Sequence, residues 1–438
     1  MFYTFLKYYV IAALRVYFKR VDLTNAHALP LDKPVLLCAN HPNSFVDALL
    51  LGAFAIRDLH FIVRGDVFLK RYLWFFRWTN QIPIFRFKDG YANLQKNKDS
   101  FEYCYRKLAE NVAIAIFSEG ICVQEKRLRP IQKGTAKMAF GALEANDFAL
   151  DLQLVPVGLN YTYPARFRSE AMVRYGQPIA LSDYLEAYRE NPNKAYRLLT
   201  QELEKRMAEQ LVIIEKPEDE PLFEFLLPLK RISLGKRPLF PVVGTSDKQL
   251  DAEKSLGEQL NGMATEDKSK LWQKTAALQE NIEKQALRAE DLLGERLQNA
   301  NTPFGTLLLL LFAPLFALGA LLNMVPYILA KKISKQRVKK AEYFASVFIG
   351  VGLVSYLLYM LLIFLAVGFT LGWLYAFGCL VAVPFLGYCA ILFKEFFTKR
   401  AKHRKAAAYR NKLPAEYKNS ISTLQEVMQN FGTAIKLD

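Results

Sequence analysis

Residues 344 to 393 contain no Asp, Glu, Lys or Arg. Fifty such residues have no place on the surface of a water-soluble domain, and they suffice for two membrane spans of about 20 to 25 residues each. The spacing predicts a hairpin, 344–368 and 369–393, turning near Gly368 to Gly372. The basic loop from Lys331-Lys332 to Lys339-Lys340 and the basic run from Lys399 to Lys405 flank it, and both are expected on the cytoplasmic side. A third apolar segment, 303–330, is broken by Pro314, Gly319, Asn323 and Pro326. A full crossing there would place residues 1–300 on the far side, so the expectation is a re-entrant helical hairpin that dips in and returns. The resulting protein is multi-pass, with its amino-terminal domain facing the cytoplasm.

Charge sharpens this reading. The formal net charge is +16, yet 52% of residues are hydrophobic and 13% aromatic. That pairing favours an anionic membrane surface as partner and argues against nucleic acid. The five cysteines, Cys38, Cys104, Cys122, Cys379 and Cys389, form neither a disulfide framework nor a zinc spacing. None of the four histidines sits at ligand spacing from another or from a cysteine pair, so no metal site is expected.

The remainder divides into four expected regions. Residues 1–20 carry Thr4, Tyr8, Arg15 and Lys19 on one helical face, the pattern of an interfacial amphipathic helix. Residues 21–214 alternate short β-branched runs with helical patterns, which predicts an α/β domain, a mixed sheet flanked by helices. The expected strands are Val35–Leu37, Leu59–Val63, Ile82–Phe85, Val112–Phe117, Leu152–Val157 and Met172–Tyr175, with helices near 45–56, 66–80, 90–110, 132–146 and 194–213. Residues 215–300 read as a proline-rich linker followed by a helical arm with Leu271, Leu278, Ile282, Ala289, Leu293 and Leu297 at helical spacing. Intramolecular packing of that face is the default, and a coiled-coil homodimer the alternative. Residues 301–397 hold the membrane segments and 398–438 a basic cytoplasmic tail.

The chemistry concentrates in residues 35–47. A buried strand ends in Asn40-His41-Pro42-Asn43, and the next carboxylate is Asp47, at the start of an apolar helix. Imidazole titrates near neutral pH, and a carboxylate on its far nitrogen fixes the tautomer. His41 is therefore a candidate general base and Asp47 its orienting partner; the alternative is a loop histidine beside a helix cap. Arg64 and Arg86 stand at or just past the ends of two expected strands, where two guanidinium groups can converge on one anion. Ile114 to Gly120 reads as a strand running into a Glu119-Gly120 turn, with Gly120 allowing close backbone approach. The basic stretch Lys126 to Thr135 leads into a helix where Lys133 and the helix N-terminus can receive phosphate. Leu154 to Gly158 is a strand ended by a proline.

The order of these blocks resembles the glycerolipid acyltransferase superfamily, that of lysophosphatidic acid and glycerol-3-phosphate acyltransferases, over roughly residues 33–180. The blocks stand here as Asn40-His41 with Asp47, Phe61 to Arg64, Gln81 to Arg86, Phe117 to Gly120, and Val155 to Val157. The resemblance implies transfer of a fatty acyl group from acyl-CoA or acyl-carrier protein to a hydroxyl of glycerol 3-phosphate or lysophosphatidic acid, with no cofactor and no covalent acyl-enzyme. His41 and Asp47 would be catalytic. Arg64, Arg86 and Lys133 would hold the acceptor's phosphate, and Glu119 and Gly120 would line its polyol. Five residues separate His41 from Asp47 where the family most often has four, a spacing similar to the fungal-type glycerol-3-phosphate acyltransferases. Ser118 replaces the usual proline, and Ile121 and Cys122 replace small hydroxylic residues. The rival readings are an acyltransferase for another lysolipid, a non-catalytic membrane-anchored lipid-binding protein, and a transporter built on the hairpin. The uncharged 344–393 counts against the last.

Overall fold

A computed structural model describes residues 2–85, 95, 97–234, 240, 242–293 and 303–432. The chain divides into two compact units. Unit 1 comprises Met1–Val212, Pro241–Asp247 and Arg337–Ile349. Unit 2 comprises Ile213–Phe240, Lys248–Gln336 and Gly350–Asp438.

Unit 1 is built on a mixed sheet. Its strands are β1 (Phe18–Thr24), β2 (Val35–Ala39), β3 (Leu59–Arg64), β4 (Gln81–Ile84), β5 (Ala113–Phe117), β6 (Gln153–Tyr161), β7 (Ser169–Tyr175), β8 (Ile179–Ala180) and β9 (Val242–Gly244). They lie in the order β4-β3-β5-β2-β6-β7-β1-β9, with β8 also paired to β6. From β4 to β6 the ladders are parallel, and β7 runs antiparallel to β6. Every residue of β2 and β6 is buried, as a parallel sheet covered on both faces requires.

The helices of unit 1 are α1 (Phe2–Tyr17), α2 (Phe45–Phe54), α3 (Leu73–Trp78), α4 (Asn97–Ala109), α5 (Gly134–Glu144), α6 (Leu185–Glu190) and α7 (Pro192–Ala208). One core joins Leu36, Cys38 and Ile114 of the sheet to Phe140 of α5 and Leu199, Leu203 and Met207 of α7. Phe140 also stacks on Tyr188 at 4.2 Å. Asn191 starts α7 by accepting the N–H groups of Asn193 and Lys194, with Pro192 in the first helical position.

Four local expectations are corrected in shape. The interfacial helix expected over 1–20 ends at Tyr17 and passes directly into β1; Val10, Leu14 and Tyr17, one turn apart, are buried in unit 1. The helix expected over 66–80 is two short 3-10 turns followed by α3. Pro156 does not end its strand, and β6 continues to Tyr161. The proline-punctuated linker contains a helix, α8 (Glu220–Ile232), in unit 2, with Pro221 in its first turn and Pro228 inside it. Its apolar face, Leu222, Phe223, Leu226, Leu227 and Leu229, is buried and outweighs the bond that Pro228 forfeits.

Unit 2 continues through α9 (Lys248–Gly262), α10 (Thr265–Lys284) and α11 (Ala289–Leu292). Leu271, Leu278, Ile282, Ala289 and Leu293 are buried within the chain, whereas Leu297 lies outside the described residues. Arg231 meets Glu253 at 2.9 Å and Lys268 meets Asp219 at 2.7 Å, two ion pairs with little exposure to water. Three long apolar helices follow: α12 (Pro303–Arg337), α13 (Phe344–Thr370), whose first turns belong to unit 1, and α14 (Trp373–Lys412). The last helix is α15 (Pro414–Gln429).

The re-entrant hairpin expected over 303–330 is instead one continuous helix through Pro314 and Pro326. Where no water can satisfy a bared backbone group, continuing the helix costs less than opening a turn. By length and composition all three helices can cross a membrane. The Asn323 amide donates to the carbonyls of Gly319 and Val383 at 2.9 and 3.0 Å and accepts from the Tyr356 hydroxyl at 2.8 Å, so it joins α12, α13 and α14.

Candidate active site

Parallel pairing sets the site. β2, β3 and β5 present their carboxyl ends on one edge of the sheet, so the residues after Ala39, Arg64 and Phe117 emerge side by side. β2 ends at Ala39, but its pairing with β6 is prolonged by a side chain. Asn40 Nδ2 donates to the Leu159 carbonyl at 3.0 Å, and its Oδ1 accepts from the Leu159 N–H at 2.7 Å. That amide fixes where the chain leaves the sheet and therefore where His41 begins.

His41 Nδ1 lies 2.8 Å from Asp47 Oδ2. Asp47 is in the first turn of α2, where a carboxylate is favoured by the helix dipole. Its side chain is fully buried while the imidazole is 20% exposed. The same Oδ2 accepts the Asn43 N–H at 2.8 Å, and Oδ1 accepts the Tyr161 hydroxyl at 2.6 Å. Three donors thus surround one carboxylate. With Nδ1–H donating to it, Nε2 carries the lone pair, the tautomer a general base needs. Phe117, register partner of Ala39 at the end of β5, stacks on the imidazole at 4.0 Å and 15° and fixes the ring plane.

Glu119 is buried beneath this pair. Burial pushes its carboxyl up to about 8, against the opposing effect of the His41 backbone N–H that it accepts and with a smaller upward push from Asp47. Near neutral pH it is therefore mostly protonated and able to donate as well as accept. Gly120 holds φ +70°, the left-handed turn conformation that favours glycine, and is exposed beside the site. Cys122 Sγ accepts the Ser44 N–H at 3.1 Å. Burial raises that thiol to about 12, so it is no nucleophilic thiolate.

The cationic groups are placed differently. Arg64 is half exposed and its guanidinium pairs with Asp66, two residues on. Arg86 lies outside the described residues. Lys133 is exposed at the N-cap of α5. In the basic stretch before it, Lys126 donates to the Tyr161 carbonyl at 3.0 Å, and Arg127 and Arg129 both bind Glu125 at 2.7 Å. The structure brings His41, Asp47 and Glu119 together; it does not join Arg64 or Lys133 to them by a direct bond.

Sequence reasoning missed Tyr161, Phe117 and the Asn40 amide as parts of the site. Tyr161 had one available signal, the apolar run that continues past Gly158, which a strand stopped at Pro156 leaves unused.

An imidazole–carboxylate pair at the carboxyl edge of a parallel sheet, beside a turn that buries Glu119, makes a site that can activate a hydroxyl. Residues 20–160 match the family model described as Acyltransferase. Two Saccharomyces cerevisiae proteins named glycerol-3-phosphate O-acyltransferase are similar to this chain, 33% identical over 114 residues and 38% over 88. These matches cover 26% and 20% of this chain, and 15% and 12% of the relatives. An uncharacterized acyltransferase of Schizosaccharomyces pombe is 36% identical over 85 residues, 19% of this chain and 12% of its own length. The chain thus matches only about an eighth of the length of these curated relatives. The crystal structure of the 1-acyl-sn-glycerophosphate acyltransferase PlsC from Thermotoga maritima aligns with a TM-score of 0.34 at 16% identity, covering 48% of this chain and 79% of that one. The domain that carries the His41–Asp47 pair is thus similar to glycerolipid acyltransferases.

Proposed function

We propose that this chain is a membrane-anchored acyltransferase, which moves a fatty acyl group from an acyl thioester to a hydroxyl of glycerol 3-phosphate or lysophosphatidic acid. The observation that carries the reading is the 2.8 Å contact of His41 Nδ1 with Asp47 Oδ2, which leaves Nε2 as the basic nitrogen. In the reaction His41 Nε2 takes the acceptor's hydroxyl proton as its oxygen attacks the thioester carbonyl. The C–S bond of the tetrahedral intermediate then breaks, and the thiol leaves with the proton from His41. Asp47 stabilises the imidazolium in between, and the Tyr161 hydroxyl and Asn43 N–H keep Asp47 oriented. Arg64, Arg86 and Lys133 attract the phosphate, and Glu119 and Gly120 line the polyol.

The names of the Saccharomyces relatives favour glycerol 3-phosphate as acceptor. The test is purified full-length protein in detergent with radiolabelled acyl-CoA, offered glycerol 3-phosphate and lysophosphatidate in parallel. Label incorporated into one acceptor identifies it. Incorporation into neither, with acyl-CoA and acyl-carrier protein both supplied, overturns the proposal.

A further inference from the structure

The turn between His41 and Asp47 is strained and is clamped from a distant part of the chain. Ser44 holds φ +49° and ψ −127°, the conformation of the first central residue of a type II′ turn, a place normally taken by glycine. The turn closes where the Val46 N–H donates to the Asn43 carbonyl at 3.1 Å. Across that closure sits the hydroxyl of Ser346, in the first turn of α13, some three hundred residues later. It donates to the Asn43 carbonyl at 3.0 Å and accepts the Val46 N–H at 3.2 Å. Both ends of the closing bond are thus held by one side chain, itself only 8% exposed.

The clamp is itself held firmly. Ala345 and Ile349 on either side are buried, and the Phe348 ring meets Tyr17 at 5.8 Å and Phe167 at 6.0 Å. All of these residues lie within unit 1. The route to the chemistry is short. Asn43, whose carbonyl takes the Ser346 hydroxyl, donates its own N–H to Asp47 Oδ2, the oxygen that also holds His41 Nδ1.

We infer that Ser346 is a positioning residue for the transfer reaction, holding the Asn43–Val46 turn so that Asp47 and His41 keep their mutual geometry. This rests on His41 being the base. A displacement of about 1 Å in such a pair can cost on the order of a hundredfold in rate. Loss of the hydroxyl is therefore expected in turnover rather than in substrate binding.

The test measures kcat and KM for both substrates in full-length protein, alongside thermal stability. Ser346→Ala should lower kcat about tenfold or more with both KM values within about twofold. Alanine is at least as good a helix former as serine, so a loss is not a weakened α13. Ser346→Thr keeps the hydroxyl and should recover kcat. Ser334→Ala removes a fully buried hydroxyl that bonds the Ala330 carbonyl of its own helix, and should behave as wild type. Should Ser346→Ala not accumulate as folded protein, Ser346→Cys, a weaker donor of similar size, replaces it, and its kcat should fall below that of Ser346→Thr. An inactive His41→Ala beside a fully active Ser346→Ala, or a loss that threonine does not repair, overturns the positioning role while leaving the base in place. An active His41→Ala overturns the base itself.

Discussion

The two ends of the candidate catalytic edge are built on different principles. At the β2 end, His41, Asp47 and Tyr161 form a chain of hydrogen bonds sunk into the sheet, with Asp47 wholly buried and bonded three ways and Asn40 held by the Leu159 backbone. At the β3 end, Arg64 bonds a near neighbour in water, and Leu69 to Trp74 are all exposed. The proposed base is thus fixed in place by its neighbours, and a base must meet its hydroxyl within a fraction of an ångström. Attraction of a phosphate acts over several ångströms and tolerates loose placement. The comparison predicts that variants at the first end act on kcat and stability, and those at the second on KM and salt dependence.

The largest effect should come from His41→Ala. Positioned base catalysis contributes about 10² to 10⁴ in rate, so turnover should fall below detection while the protein still partitions with membranes. Retained turnover in the purified variant breaks the comparison outright. Tyr161→Phe removes one donor from the buried Asp47 carboxylate, at a cost of about 1–3 kcal/mol in stability, and kcat should drop about tenfold with KM held. Equal changes in kcat and KM would move Tyr161 out of the first group.

Glu119 offers a pH test of the same end. Its carboxyl sits at about 8 in the fold against an ordinary 4.5, so between those values the folded state holds a proton that the unfolded chain has lost. Stability from this group therefore falls as pH rises from about 4.5 to about 8 and is flat beyond. Glu119→Gln should remove that slope, gaining on wild type by up to about 4 kcal/mol between pH 5 and 8.5, read as the difference in melting temperature. Parallel melting curves for the two proteins would place Glu119 in a wetter environment.

The smallest effects belong to the cations. Arg64→Ala should shift stability by no more than about 0.5 kcal/mol, because its ion pair is exposed, and should raise the acceptor KM a few-fold, most at low salt. Arg86→Ala should likewise raise that KM, measured at several ionic strengths. A fall in kcat with KM unchanged at either position would erase the division between the two ends.

What could be read from the amino-acid order follows the same division. Strand-then-turn blocks are local, so β2 with His41, β5 with Glu119 and the parallel α/β plan were visible as apolar runs ended by polar residues. Parallel pairing then brings their ends together without further instruction. Contacts fixed by tertiary packing left no such trace. The Tyr161 hydroxyl reaches Asp47 only because β6 overruns β2, and β1 is a strand because β7 and β9 flank it, not because Phe18 to Thr24 alternates clearly. Prolines misled twice in the same way: α8 and α12 absorb theirs because burial in one case, and a run of apolar surroundings in the other, makes breaking the helix the costlier course.

The Asn323 amide has a bearing on how the chain is made. Its outward partners stand on helices synthesised some thirty and sixty residues later, so when α12 first leaves the ribosome it carries an amide with only its own Gly319 carbonyl to satisfy. Its oxygen is capped when Tyr356 arrives and its second donor when Val383 does. Assembly of the anchor is in this sense deferred to its last helix, and a nascent chain halted at Thr370 would hold the first two without the acceptor that completes them.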